Sequence, residues 1–303
     1  MDIQFSNRNR LEGQRSPDVG TPILVYHRII QDNAPKDSPG NAVRVTQFER
    51  QMHYLHDHGY RCLSLSELLQ PFGEKGIPRR TRALALTFDD GYGGFFTLAY
   101  PILRHYGFTA TVFLVTDRIG EQSHWEGARG VHLLTWEEIG VLHESGIHFG
   151  SHTCTHRHLA LLSSEQIRHE LTASKERLEA RLGQEVPFLA YPYGESNPEI
   201  RNMARQAGYK AAFGVITGES GHYNLWRRPC GSRDTPLTFA FKLSHWCGYV
   251  IWLRRWLREA TRMGQFLRRV KHGWFPHGES SIQRLSVPRG LRKLDDKRSQ
   301  DGR

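Results

Sequence analysis

The sequence predicts an α/β fold in which parallel strands and helices alternate, and three observations favour a barrel. Short apolar runs typical of buried strands recur from residue 23 to residue 215. Helix-start signals stand between these runs. Six such units fit within residues 21–244, which favours a closed (β/α) barrel over an open sheet.

Six strands are predicted from apolar runs of four to six residues. None of the runs contains a proline. In chain order the runs are Ile23–Tyr26, Ala83–Phe88, Thr111–Val115, Ile147–Gly150, Phe188–Tyr191 and Ala211–Val215.

Four helices are predicted between the strands from their start and stop signals. Three begin at a Ser or Thr that is followed three residues later by Glu or Gln, which is a capping box. The fourth begins at Asn-Pro, an N-cap followed by proline at the first helical position. The predicted helices run from Thr46 to Gly59, from Thr135 to about Gly146, from Ser163 through Leu182 and from Asn197 to about Gly208.

The charge of the chain is unevenly distributed. The 303 residues include 41 Lys and Arg against 31 Asp and Glu, a net charge of +10. Such a balance points to nucleic acid, an anionic membrane or an acidic substrate as partner. Residues 245–303 hold 14 basic and 5 acidic residues, so nearly all of the excess lies there. A nearly neutral body without a recognisable nucleic-acid-binding module argues against nucleic acid.

Polar side chains follow four of the predicted strands at the point where each strand ends. The carboxyl ends of barrel strands share one face, and that face carries the sites of such barrels. We therefore expect these groups to meet. They are His27, then Asp89-Asp90-Gly91-Tyr92, then the run from Ser151 to His156, and then Pro192-Tyr193-Gly194.

Two histidines and an aspartate of this set have the chemistry of a metal site. His152 and His156 are four residues apart, which puts both imidazoles on one side of a tight loop. Asp90 can supply a third ligand and leave positions open for water and substrate. A bound metal acidifies that water and polarises a carbonyl. Asp89 is then the candidate general base, and His27 the candidate general acid for a leaving amine.

Simpler explanations exist for each feature taken alone. The chain has 17 histidines, so one histidine is more often a surface residue than a ligand, and Asp-Asp-Gly is usually a turn. A glycosidase that uses Asp89 and Asp90 is disfavoured, because adjacent residues cannot easily flank a sugar bond with carboxyls about 5–9 Å apart. Cys154, between the two histidines, is an alternative nucleophile or ligand. The metal site is favoured because all its groups follow strands in the order that a barrel superimposes.

Three segments resemble the motifs of a known enzyme family. TFDDGY (87–92), SHTCTH (151–156) and YPYG (191–194) resemble the first three motifs of the polysaccharide deacetylase (NodB homology) family, carbohydrate esterase family four. PILVYHRI and FERQMHYLHDHGY resemble the branch that deacetylates poly-N-acetylglucosamine. The resemblance covers about residues 21–230. It implies a distorted (β/α)7 barrel, a divalent metal that is often zinc, and removal of acetyl groups from N-acetylated sugars of a polysaccharide or lipid-linked saccharide.

The resemblance assigns roles residue by residue. Asp89 would be the base that activates the metal-bound water, and His27 matches the catalytic acid that this branch supplies early in the chain. The backbone N–H of Tyr193 would help the metal to hold the oxyanion. The metal ligands would be Asp90, His152 and His156, and the oxyanion and substrate residues would be Tyr193, Tyr92 and Pro192.

This sequence departs from the family at the third motif. Many members carry there an arginine that steadies the base, whereas Ala190 stands at that position here, as is common in the resembled branch. In the segment LWRRP, Arg227 or Arg228 is the candidate replacement, and we assign the orienting role to Arg228. The family's fourth and fifth motifs are not recognisable in the chain.

Residues 245–271 form a predicted basic amphipathic helix. Apolar residues recur in steps of three and four from Trp246 to Val270, and arginines such as Arg254 and Arg262 lie largely between them. Tryptophans opposite arginines are typical of a helix at an anionic membrane surface. A helix packed on the barrel with a solvated arginine face is the alternative. We expect residues 1–20 to be disordered, residues 21–244 to form the deacetylase domain and residues 272–303 to form a flexible basic tail.

The N-terminal residues and the cysteines bear on the compartment. Residues 1–20 contain no apolar run of the kind a Sec-type signal peptide needs. The four cysteines show no C-x-x-C spacing, which indicates reduced thiols rather than a zinc or redox motif. We therefore expect a cytoplasmic protein that is held peripherally at the inner face of the cell membrane.

Two other functions stay open at this point. An O-acetyl esterase acting on a decorated polysaccharide passes through the same tetrahedral intermediate, so the sequence barely separates it from an N-deacetylase. A non-catalytic saccharide-binding protein that keeps the fold is disfavoured, because every candidate site residue is intact. The intact residues are His27, Asp89, Asp90, His152 and His156.

Overall fold

A computed structural model describes most of the chain that carries the predicted strands. The described residues are 21–35, 41–69, 82–125, 128–215, 221–244, 246–250, 253 and 257. Those up to residue 253 belong to one compact unit, Met1–Trp256, and Leu257 is the described part of the second unit, Leu257–Arg303. The predicted N-terminal segment 1–20, the tail 272–303 and most of the helix 245–271 lie outside the described residues.

Strands and helices alternate in the predicted order. The strands are β1 (Ile23–Tyr26), β2 (Arg28–Ile30), β3 (Ala42–Arg44), β4 (Arg61–Cys62), β5 (Ala83–Phe88), β6 (Thr111–Leu114), β7 (His148–Ser151), β8 (Phe188–Ala190), β9 (Ala211–Gly214), β10 (Leu225–Trp226) and β11 (Arg228–Pro229). The helices are α1 (Val45–Asp57), α2 (Leu65–Leu68), α3 (Tyr100–His105), α4 (Trp136–Glu144), α5 (Ser164–Leu182), α6 (Pro198–Gln206) and α7 (Pro236–Leu243). Among the helices of the described residues, none is long and apolar enough to cross a bilayer.

Parallel strands close into a ring of seven. Their order is β10-β9-β8-β7-β6-β5-β1-β11, with β4 added beside β5. β10 and β11 are two halves of one extended segment, because Arg227 alone separates them. Since β10 pairs with β9 and β11 pairs with β1, this segment joins the two ends of the sheet as the seventh strand. The predicted (β/α)7 barrel is confirmed.

All six predicted strands form. The bounds of β1 and β5 are those predicted. β6, β8 and β9 end one residue earlier than predicted, and β7 is shifted by one residue at both ends. The strand that closes the barrel was missed, because Leu225–Pro229 contains two arginines and no apolar run. Its position is fixed by pairing with β1 and β9 rather than by its own composition.

Side chains alternate between two buried layers, as the period of two in a strand requires. One layer contains Phe113, Ala190 and Phe213, and the rings of Phe113 and Phe213 lie 5.7 Å apart. Their strand neighbours Val112 and Leu189 belong to other clusters, which include residues of the surrounding helices. The first layer therefore lines the barrel interior beneath the strand ends.

Capping explains where three helices begin and corrects the prediction for a fourth. Thr135 and Ser163 form complete capping boxes at α4 and α5, and Asn197 caps α6. The predicted capping box at Thr46 is wrong, because β3 runs directly into α1 and Arg44 is the N-cap. The hydroxyl of Thr46 donates instead to the carboxylate of Asp32.

Candidate active site

The predicted metal ligands meet at the carboxyl ends of β5 and β7. Oδ1 of Asp90 lies 3.2 Å from Nε2 of His152 and 3.2 Å from Nε2 of His156. All three side chains are buried, and their ligand atoms lie within 4.8 Å of one another. Two imidazole nitrogens and one carboxylate oxygen thus converge on one point.

The surroundings of these atoms fit a divalent cation. Oδ1 of Asp90 is buried and has no hydrogen-bond partner among the described residues. The Nδ1–H of His152 donates to the carbonyl oxygen of Ala190 at 2.7 Å, which leaves the lone pair of Nε2 directed at the cluster. Histidine and carboxylate ligands of this kind suit zinc and related transition metals.

The charge states of Asp90 and His156 suit metal binding, whereas Asp89 and Asp90 outweigh burial and raise the pKa of His152. Burial would raise the pKa of Asp90, but the two histidines outweigh it and lower that pKa well below its ordinary value. Burial lowers the pKa of His156. An ionised carboxylate and a neutral imidazole are the forms that bind a metal.

Backbone strain is concentrated at the site. Among the described residues, the non-glycine residues with positive φ are Asp90 at 72°, Thr153 at 68°, His156 at 60° and Tyr193 at 60°. An L-residue disfavours this conformation, so such residues persist where the surrounding structure over-determines them. All four belong to the three motifs, which identifies these turns as the functional end of the barrel.

Arg227 holds Asp89 from the closing strand. Its Nη1 and Nη2 donate to the two carboxylate oxygens of Asp89 at 2.6 and 2.7 Å, and both side chains are buried. The guanidinium also lies 5.3 Å from the ring of Phe113, inside the barrel. A bidentate pair of this kind fixes a carboxylate in both position and orientation.

The assignment of the orienting role to Arg228 is wrong. Neighbouring residues of an extended segment point to opposite faces, and Arg227 takes the inner face. Arg228 turns away and donates to the carbonyl oxygens of Lys242 and Ser244. Arg227, and not Arg228, therefore makes the contact with Asp89 that the predicted orienting role requires.

Asp89 is ionised in this setting. Burial would raise its pKa, but the charge of Arg227, followed by that of His152, outweighs burial and lowers it. His27, which is half-buried after β1, contributes to lowering the pKa of both Asp89 and Asp90. Tyr26 pairs with Phe88 in the sheet, so the predicted acid follows β1 at the same end of the barrel as Asp89 and Asp90.

Trp125 is a residue of the site that the sequence did not reveal. Its indole N–H donates to the hydroxyl of Tyr92 at 2.7 Å, and its ring lies 4.4 Å from that of His156. It comes from the loop between β6 and α4, where a single tryptophan among polar residues gives no motif signal. Through this contact Tyr92 holds the indole against His156, a predicted metal ligand.

The Pro-Tyr-Gly turn lies against the same histidine. The ring of Tyr193 is 4.8 Å from that of His156 and stacks on His158 at 3.6 Å. Pro192 is buried, and Tyr193 is 45% exposed. The turn therefore borders the site, and the oxyanion role of the Tyr193 N–H stays a prediction.

The thiol of Cys154 faces away from the cluster of Asp90, His152 and His156. It is buried and faces α5, 3.7 Å from the carbonyl oxygen of Glu170. Burial raises its pKa to about 11, so the thiol is protonated at neutral pH. A protonated thiol directed away from the cluster is neither a nucleophile nor a ligand.

Sequence comparison connects this site to known proteins. The profile of the family described as polysaccharide deacetylase matches residues 76–212. The chain is 32% identical over 212 residues to YxkH of Bacillus subtilis, which carries the family's name, with coverage of 68% of this chain and 70% of the relative. It is 27% identical over 228 residues to the poly-beta-1,6-N-acetyl-D-glucosamine N-deacetylase of Staphylococcus aureus, with coverage of 67% and 76%.

Solved structures share the fold. The Streptococcus pyogenes deacetylase PplD, in complex with acetate, is 27% identical, with a TM-score of 0.63 over 74% of this chain and 98% of its own. IcaB from Ammonifex degensii has a TM-score of 0.60 at 23% identity, over 73% of this chain and 94% of its own. The second likeness shows the fold alone.

Proposed function

The chain belongs to the polysaccharide deacetylase family, and from this premise we propose that it hydrolyses the acetamide groups of N-acetylated sugars in a polysaccharide or lipid-linked saccharide. The observation that carries the proposal is the buried cluster of Asp90, His152 and His156 beside an aspartate that Arg227 holds. The name of the Staphylococcus aureus relative supports N-acetylglucosamine as the sugar.

The three clustered side chains would hold a divalent metal, and we propose zinc because of the two imidazoles and one carboxylate. The chemistry that such an ion supplies when bound is polarisation of a carbonyl and acidification of a water. Asp90 contributes the negative charge among the three ligands. The carbonyl of Ala190 orients the ring of His152.

Asp89 and His27 would move the protons. Asp89 accepts a proton from the attacking water, whose oxygen forms a bond to the acetyl carbon. Arg227 keeps that carboxylate ionised and oriented. When the carbon–nitrogen bond breaks, His27 donates a proton to the departing nitrogen, so that the products are acetate and a free amine. The N–H of Tyr193 would stabilise the developing oxyanion.

The test measures acetate released by the full chain from N-acetylglucosamine oligomers and from an O-acetylated polysaccharide. We expect release from the N-acetyl substrate, loss of release after chelation, and recovery with added zinc. Asp89→Asn is expected to lose activity by a factor of about 10³ or more, whereas the surface variant Asp57→Asn serves as control. Release from the O-acetyl substrate alone would establish the esterase instead, and saccharide binding without any release would establish the non-catalytic alternative.

A membrane surface is the second partner that we propose. Eight large apolar side chains of the described residues are exposed, and five of them lie between Leu237 and Leu257. Trp246 is 58% exposed, residues 246–250 are helical, and Phe241 and Tyr249 are also exposed. Residues 245–303 carry the excess positive charge. Exposed aromatic rings next to basic sequence suit an anionic lipid surface, on which the protein would lie peripherally.

Vesicle sedimentation tests this partner. We expect the full chain to bind phosphatidylglycerol vesicles and to bind phosphatidylcholine vesicles weakly. The double change Trp246→Ser and Tyr249→Ser should weaken binding by about tenfold. Leu161→Ser, at a side chain that is 82% exposed elsewhere on the barrel, is the matched control. Equal binding by the double variant and the wild type would contradict the proposal.

A further inference from the structure

The loop between the two histidine ligands has a shape that needs support. It runs from His152 to His156, and Thr153 and His156 both adopt positive φ. In this conformation the N–H groups of Cys154 and Thr155 do not join the strand ladder. Buried N–H groups require other acceptors, and the position of both ligands depends on which groups accept from this loop.

Glu170 supplies those acceptors from α5. Its Oε2 accepts from the N–H of Cys154 at 2.8 Å and from the N–H of Thr155 at 2.9 Å. Its Oε1 accepts from the hydroxyl of Thr155. Successive N–H groups beside a left-handed residue form a concave site for an anion, and here the anion is a buried side chain of the same protein, only 5% exposed.

The helix that carries Glu170 is anchored to the site at further points. The hydroxyl of Ser151, immediately before His152, donates to the hydroxyl of Ser174 at 2.8 Å. Arg177 pairs with Asp117, whose backbone N–H donates to the carbonyl of Cys154 at 3.0 Å. Residues 170, 174 and 177 lie on one face of α5, so a single helix face holds the loop from its start to its middle.

We propose that Glu170 is a positioning residue of the metal centre, whose carboxylate holds the loop between the two histidine ligands in the shape that binds the cation. The inference rests on the proposed function, because it concerns the metal that this function uses. Glu170→Gln retains the size of the side chain but replaces one acceptor oxygen with a donor. The single amide oxygen can still accept from the two loop N–H groups, but the Thr155 hydroxyl loses its acceptor and all three hydrogen bonds lose the assistance of the carboxylate charge. The loop is then held less tightly, and the two imidazoles lose their fixed separation.

The experiment measures the zinc dissociation constant of the full chain by competition with a fluorescent chelator, together with the melting temperature of the zinc-free protein. We expect Glu170→Gln to raise the zinc dissociation constant by about tenfold or more. Thr155→Val, which removes a single hydroxyl contact, should raise it by a smaller factor. Glu176→Gln is the matched control, since Glu176 is exposed on the same helix.

The possible outcomes distinguish a positioning role of Glu170 from a role in folding stability alone. They also separate this inference from the proposed deacetylase function. A Glu170→Gln protein that melts earlier but binds zinc as the wild type does would overturn the inference and leave the function intact. If Glu170→Gln fails to fold, Thr155→Val decides, and an unchanged dissociation constant overturns the inference. Zinc binding by the wild type without acetate release overturns the function and leaves the positioning role standing. A wild type that takes up no zinc overturns both.

Discussion

At the scale of single residues, the contact between Arg227 and Asp89 supports the proposed role of Asp89 as the base. The fork of the guanidinium matches both carboxylate oxygens, and a lysine ammonium at this position offers no planar fork. Arg227→Lys should therefore lower kcat for acetate release by about tenfold or more while zinc binding changes little.

The neighbouring arginine gives the control for this prediction. Arg228 faces away from Asp89 and contacts backbone carbonyls, so Arg228→Lys should leave kcat within about twofold of the wild type. Kinetics of the two variants under identical zinc loading check the prediction. An equal loss in both variants would contradict the orientation of the closing strand.

For Cys154 we predict that substitution changes neither zinc binding nor kcat. Its buried, protonated thiol faces α5, so Cys154→Ala should leave the zinc dissociation constant and kcat within about twofold of the wild type. The loss of a small buried side chain should cost about 1 kcal/mol of folding free energy. Parallel zinc titration and urea unfolding measure the two quantities. A large fall in zinc affinity would make the thiol a ligand after all.

Motif spacing predicted much of the site at this scale but did not predict how its residues are supported. Asp90, His152 and His156 lie together as their spacing indicated. The choice between Arg227 and Arg228 depends on which way the strand alternates. The two apolar residues that precede them, Leu225 and Trp226, are too few to show which arginine faces inward. Trp125 could not be predicted either, because its contact with His156 crosses from a loop without a motif.

At the scale of elements, capping boxes predicted helix starts where a loop precedes the helix. Thr135 and Ser163 follow non-helical residues and cap α4 and α5. Thr46 has the same sequence signature, but a strand leads into α1 without a loop, so the hydroxyl finds Asp32 instead. Local sequence therefore specifies a cap only if the preceding chain leaves room for one.

The contribution of the Thr135 cap to stability can be measured on α4. Thr135→Ala removes an acceptor for the N–H of Glu138 and should lower the free energy of unfolding by about 1 kcal/mol. Thr172→Ala within α5 is the control, because alanine is favoured in a helix interior. Urea unfolding of both variants checks the prediction. A loss for Thr172→Ala as large as that for Thr135→Ala would show that capping is not the cause.

At the scale of the whole molecule, the alternation of strand and helix signals favoured a (β/α) barrel, and the family resemblance implied the distorted (β/α)7 form. The closing strand was not predicted, because pairing on both sides holds it in place and its own residues carry no strand signal. That closure is also what brings Arg227 to the site. The closure of the barrel thus places Arg227 beside Asp89, although the local sequence does not predict this contact.

Metal binding should stabilise the folded barrel as a whole. The cluster joins β5 to β7, and a ligand that binds only the folded state raises stability by mass action, by about 2.7 kcal/mol at a hundredfold excess over its dissociation constant. Zinc should therefore raise the melting temperature of the full chain, and a chelator should reverse the shift. His152→Ala should abolish the shift. A shift that persists in that variant would place zinc elsewhere on the molecule.

The most direct test of the central claim is the dependence of acetate release on bound zinc. N-acetylglucosamine oligomers are incubated with the full chain loaded with increasing amounts of zinc, and acetate is quantified against metal content. We predict that the rate rises in proportion to bound zinc, levels off at one ion per chain, and is lost in Asp89→Asn at full loading. Acetate release by metal-free protein, or undiminished release by Asp89→Asn, would contradict a deacetylase built on this site.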